Sequence, residues 1–165
     1  MANHETNAVD DTQSEEPTFE LCARVARVVN EHQGSLDRHD WEALRGTMAS
    51  RVHVCHLGSW GEQRIWTTDV AFAQARRAAL DHLVLQNNHT NLVVHGVANG
   101  LVRASCNFQI MRFSKDGRDH FHSWGSYEFG LQTTSMRIEQ VVQNVAANQG
   151  NPSLHRGLQR HREER

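Results

Sequence analysis

Twelve histidines in 165 residues are the first chemical feature of this chain. Histidine titrates near neutrality and is the commonest metal ligand, so the excess points to proton transfer or metal binding. The histidines cluster. His53 and His56 lie in RVHVCHL, His89 follows Asn87 in LQNNHTNL, and His120 and His122 form an HxH in DHFHSW. Asp37 precedes His39 in LDRHDW. A carboxylate in apolar surroundings has a raised pKa unless an imidazolium pairs with it. Such a pair moves protons at neutral pH. The competing reading makes Asp37 the cap of the helix that begins near Trp41.

Composition narrows the classes. Seventeen Lys plus Arg against nineteen Asp plus Glu give a formal charge of −2, without the basic excess of a nucleic-acid binder. No apolar run approaches the roughly 20 residues of a membrane helix. The polar, acidic start is neither a secretory signal nor a transit peptide. Cys22, Cys55 and Cys106 form no CxxC, so no disulfide framework is expected and a cytoplasmic setting is the default. No Gly-rich phosphate loop is present to suggest a nucleotide cofactor. The organisation expected is an acidic, disordered tail over 1–16, one domain over 17–150, and a basic tail over 151–165.

The elements that must position these residues follow from periodicity. Thr18 caps a first helix whose Phe19, Cys22, Val25, Ala26 and Val29 recur at helical spacing. Asp40 caps a short second helix with Trp41, Leu44 and Met48 inward. A third begins near Thr67 or Thr68 and buries Val70, Ala73, Ala78 and Leu80. RVHVCHL reads as a strand between the second and third helices. Four long strands with period two follow, with turns at Asn99-Gly100, Asp116-Gly117 and Thr134-Ser135. Helices clustered before antiparallel strands predict an α+β fold, the helices covering one face of a curved sheet.

Three segments carry a family resemblance. LDRHDWEALRGTMASRV resembles a helix end followed by Asp-Trp and a short helix. WGSYEFGLQTTSMRIEQV resembles a strand–turn–strand ending in an Arg-Ile strand, and GNPSLHRG resembles the tail that follows. In this order they resemble the SnoaL-like group of the NTF2-like (cystatin-like) cone fold, in particular the scytalone dehydratase and polyketide cyclase relatives, over roughly residues 18–157. The resemblance implies a cofactor-independent enzyme that dehydrates, isomerises or cyclises an apolar oxygenated ring compound in secondary metabolism. It implies that Asp37 and His122 are the catalytic pair. His56 falls where the family has a tyrosine, and Asn87 where it has the pocket histidine. His89, two residues on, shares the face of Asn87 and is a substitute. A tyrosine usual before the aspartate is replaced by Leu36. The resemblance also implies a homodimer or homotrimer.

Other residues complete the candidate site. Val54 should face inward, so His56 should too, within reach of a substrate oxygen. Trp60 and Trp124 are candidate pocket walls, with Trp66, Phe108 and Phe129, and Tyr127 is a candidate acid. Two rival readings stand. One is a metal enzyme using His120 and His122, although Glu128 lies too far along for a cupin pattern. The other is a non-catalytic ligand-binding or assembly module, which the loss of the pocket histidine favours.

Overall fold

The computed structural model describes residues 16–58 and 61–157. The expected tail residues beyond these limits, and Trp60, lie outside the described residues. Helix α1 spans Phe19–Asp37, α2 Trp41–Gly46 and α3 Asp69–Leu80. Strands β1 (Met48–Leu57) and β2 (Gln63–Thr68) flank the gap before α3. The long strands are β3 (Leu83–Ala98), β4 (Leu101–Ser114), β5 (Phe121–Gln132) and β6 (Ile138–Gly150). A 3-10 turn, Pro152–Leu154, follows.

Each helix begins where a side-chain oxygen accepts an otherwise unpaired backbone N–H. Thr18, Asp40 and Thr68 accept from Leu21, Ala43 and Ala71 at 3.2, 3.0 and 3.1 Å. The cap of α2 is therefore Asp40 and not Asp37. The six strands form one sheet in the order β2-β1-β6-β5-β4-β3. All neighbours are antiparallel except β1 and β6. Asn99 and Gly100, both with positive φ, close the β3–β4 hairpin. Strand β2 is an element the sequence pattern did not show. Its QRIWTT has only half-buried or exposed positions, so it lacks an apolar alternation.

Alternation defines the concave face. Phe108 and Ile110 of β4, Tyr127, Phe129 and Leu131 of β5, and Val141 of β6 are buried there. From the helices, Val25, Val29, Leu36, Leu44, Phe72 and Leu80 close the core. The buried face of α3 is rotated from expectation. Phe72, Ala73, Ala79 and Leu80 are buried, whereas Val70 and Ala78 are exposed. Residues 151–157 also depart from the expected tail. Leu154 packs on the core, and its carbonyl accepts from His82 Nε2 at 2.9 Å. Among the described residues no helix is long and apolar enough to cross a membrane.

Candidate functional site

The interior of the cone is polar. A cavity of about 30 Å³ is lined by His32 of α1, Arg76 of α3, Asn87 of β3, Arg112 of β4, Tyr127 of β5 and Gln143 of β6, with His155 from the C-terminal segment. Apolar walls come from Leu36, Phe72, Leu85 and Ile110. The polar residues on helices and strands occupy core registers. Arg76 lies four residues after Phe72 and four before Leu80. Arg112 continues the inward row of Phe108 and Ile110, and His32 follows Val25 and Val29 on the buried stripe of α1.

Asp37 ends α1, next to Leu36, which lines this interior. Its Oδ1 accepts the Asn87 backbone N–H at 2.8 Å and the Asn87 side-chain amide at 2.6 Å. Asn87 lines the cavity, so this contact ties the carboxylate to the concave face. Its second oxygen, Oδ2, makes no hydrogen bond among the described residues. Burial pushes the carboxyl above its ordinary 3.8, against the Asn87 hydrogen bonds and the Arg38 charge, which favour the ionised form.

A directional chain crosses the cavity. Arg76 donates to His56 Nε2 at 3.2 Å. A guanidinium cannot accept, so this nitrogen is unprotonated. His56 Nδ1–H then donates to Gln143 Oε1 at 2.9 Å, and Gln143 Nε2 donates to the Tyr127 hydroxyl at 2.8 Å. The chain orients the phenol as acceptor from Gln143, leaving its own proton to be donated elsewhere. Burial pushes the Tyr127 phenol up, so it stays protonated. His32 is neutral as well. Burial, reinforced by the Arg76 charge, lowers it from 6.5 to about 3. Thr47 Oγ donates to the Leu44 carbonyl at 2.7 Å, so the His32–Thr47 contact of 3.1 Å requires a proton on His32 Nδ1.

The structure brings some of the expected residues together and separates others. Asn87 meets Asp37, Tyr127 lines the cavity, and His56 enters its hydrogen-bond chain. His89 shares the inward side of β3 with Asn87, opposite Phe108 of β4, and burial lowers its imidazole pKa. His122 is a correction. Phe121 and Ser123, its neighbours on β5, are the buried pair, so His122 points to the opposite face of the sheet. There its ring lies 4.7 Å from His120 and 5.0 Å from Phe113, and it is not joined to Asp37. Trp124 shares that outer side, where it lines a separate surface depression with Asn88 and Asn107. Trp66 is exposed, Phe129 packs in the core, and Trp60 lies outside the described residues. Among the described residues no group of three or more His, Cys, Asp or Glu is placed to hold a metal, so His120 and His122 lack a third ligand of those types.

Sequence reasoning missed His32, Arg76, Arg112, Gln143 and His155. A signal existed for most of them: a charged or amide side chain at a position whose period demands an apolar one. His155 had none, because its segment shows no period.

No family model and no curated protein matches the sequence. Solved structures do match the fold. One from Novosphingobium aromaticivorans, provisionally named an aromatic ring hydroxylase, aligns with TM-score 0.68 at 13% identity over 84% of this chain and 99% of that one. A second from the same organism, provisionally named a scytalone dehydratase, aligns with TM-score 0.64 at 10% identity over 78% and 86%. A third from Xanthomonas campestris pv. campestris, provisionally named a polyketide cyclase, aligns with TM-score 0.53 at 19% identity over 74% and 90%. The chain has the NTF2-like, or cystatin-like, α+β fold expected from its sequence.

Proposed function

We propose that this cone is the active site of a cofactor-independent acid–base enzyme of the lyase or isomerase class. The observation that carries the proposal is the Asp37–Asn87 contact. It fixes one carboxylate oxygen on the cavity-lining Asn87 and leaves the other for a substrate proton. Asp37 Oδ2 takes a proton from carbon next to a carbonyl, and the C–H electron pair forms the enolate. Tyr127, held as a donor by Gln143, hydrogen-bonds the developing oxyanion. Return of the proton to another carbon gives isomerisation, and loss of a β-hydroxyl as water gives dehydration. Cyclisation uses the same enolate as its nucleophile. The fold shared with proteins provisionally named a scytalone dehydratase and a polyketide cyclase supports this class, and with it a role in secondary metabolism.

His56 and His89 remain substrate-side groups in this reading, but His122 does not. A homo-oligomer belongs to the same proposal. Strand β3 ends the sheet, and its Val84, Val93 and Val97 are exposed.

The test is proton exchange. The protein is incubated in D₂O with cyclic enones and β-hydroxy ketones, and deuterium uptake is followed by NMR. Asp37→Asn should slow uptake about 10²-fold, the usual worth of a general base. Equal uptake in a folded Asp37→Asn protein would contradict the proposal.

A second reading, an assembly module without turnover, is favoured by the cavity volume. About 30 Å³ holds one or two water-sized bodies, whereas small-molecule pockets run to roughly 300–1,000 Å³. Absence of exchange with every compound in the wild-type protein would favour it.

A further inference from the structure

Among the described residues the cavity is lined by two arginines and no carboxylate. Arg112 is 6% exposed, and one of its terminal nitrogens donates to the Phe121 carbonyl at 3.3 Å and to Ser123 Oγ at 2.9 Å. Its Nε is buried and makes no hydrogen bond among the described residues. The Arg76 guanidinium lies 5.1 Å over the Phe72 ring and, among the described residues, hydrogen-bonds only His56. Among the described residues no carboxylate comes within 4.0 Å of either guanidinium, although six ion pairs form elsewhere. The other titratable lining groups supply no negative charge. His32 and His155 are held neutral by burial and by the arginines, and Tyr127 is held protonated. His155 Nδ1 is a second buried lining atom without a hydrogen-bond partner among the described residues.

Charges withdrawn from water are normally paired, because desolvation is costly. Two like charges in one cavity make that cost larger. Arginine suits this task, since its planar fork matches a carboxylate. The cavity volume fits the head of a carboxylate and excludes a larger anion such as a nucleotide phosphate chain. Arg76 retains some accessible surface, so the site is not sealed.

We propose that Arg76 and Arg112 form an anion site inside the cone that takes the carboxylate of a small-molecule ligand. The rest of that ligand extends toward Asn87 and Asp37. The inference deepens the enzymatic reading by adding a carboxylate to the substrate class. It needs only binding, so it stands apart from turnover.

Calorimetry with matched probes tests it. Formate, acetate and benzoate are titrated against formamide, acetamide and benzamide at pH 7, with inorganic phosphate as a further anion. Each carboxylate should bind at least tenfold tighter than its amide. Arg76→Met should abolish that preference and raise the melting temperature of the free protein, because one of two like charges is removed. Asp37→Asn should retain the preference, which separates this site from the proton-transfer proposal. Equal binding of acid and amide would overturn the inference, as would tighter binding of phosphate than of every carboxylate. An undiminished preference in folded Arg76→Met would also overturn it. The wild-type comparison decides the matter if the variant does not fold.

Discussion

Asn87 donates twice to one oxygen of Asp37, at 2.8 Å from its backbone and 2.6 Å from its side chain. The first bond belongs to the position and the second to the residue. The contact holds the end of α1 against β3. Both hydrogen bonds favour the ionised carboxylate, and burial opposes them. Asn87→Ala removes only the side-chain bond, so the Asp37 pKa should rise further. Carbon-detected NMR titration of the carboxyl reads the shift. A fall on substitution would contradict the assignment.

Burial of the same carboxylate sets a sign for stability. The folded state raises the Asp37 pKa above 3.8, so it binds that proton more tightly than the unfolded chain. The Asp37 contribution therefore becomes more favourable as pH falls through the carboxylate range, and is lost as pH rises through the folded value. Asp37→Asn should remove this component. Urea midpoints from pH 3.5 to 7 compare the two proteins.

His32 acts in the opposite direction and over a different window. Its pKa falls from 6.5 unfolded to about 3 folded. Between those values the unfolded chain binds the extra proton, so stability is lost as pH falls below 6.5. The loss from pH 6.5 to 4.5 is roughly 2–3 kcal/mol. His32→Leu should flatten the dependence, since Thr47 keeps its bond to the Leu44 carbonyl. An unchanged slope in that variant would show that His32 is not the titrating group.

Asp40, not Asp37, is the helix cap, and this is testable by stability alone. Asp40→Ala should cost about 1 kcal/mol, the usual loss of an N-cap. Activity should be unaffected. The sequence allowed both aspartates as caps, because they stand three residues apart around the same turn.

Gly125 marks the bulge in the β5–β6 pairing. A Cβ there would sit 1.9 Å from the Asn144 carbonyl oxygen and 2.8 Å from the Phe108 ring. Gly125→Ala should fall among the severe substitutions, with a loss on the order of 4 kcal/mol. Thermal melting measures it.

The helix caps, the hairpin at Asn99-Gly100 and the four long strands were legible because each rests on local chemistry or on a sustained period. The inward side of β5 was harder. HFHSW places Phe121 and Ser123 on one side and His122 and Trp124 on the other, so both sides carry an aromatic ring. Matching the family motif put His122 in the cavity, whereas the fold puts Ser123 beside Arg112. Arg76 and Arg112 were hidden for another reason. Charged residues are read as surface by default, which masks the signal that their positions fall in the apolar period of α3 and β4.

The most direct test of the account sets Asp37→Asn beside His122→Ala in the D₂O exchange assay. Asp37→Asn should lose about 10²-fold and His122→Ala should exchange as the wild type does, because Asp37 is bonded to the cavity-lining Asn87 and His122 lies on the other face of the sheet. A comparable loss in folded His122→Ala, or retained exchange in Asp37→Asn, would contradict it.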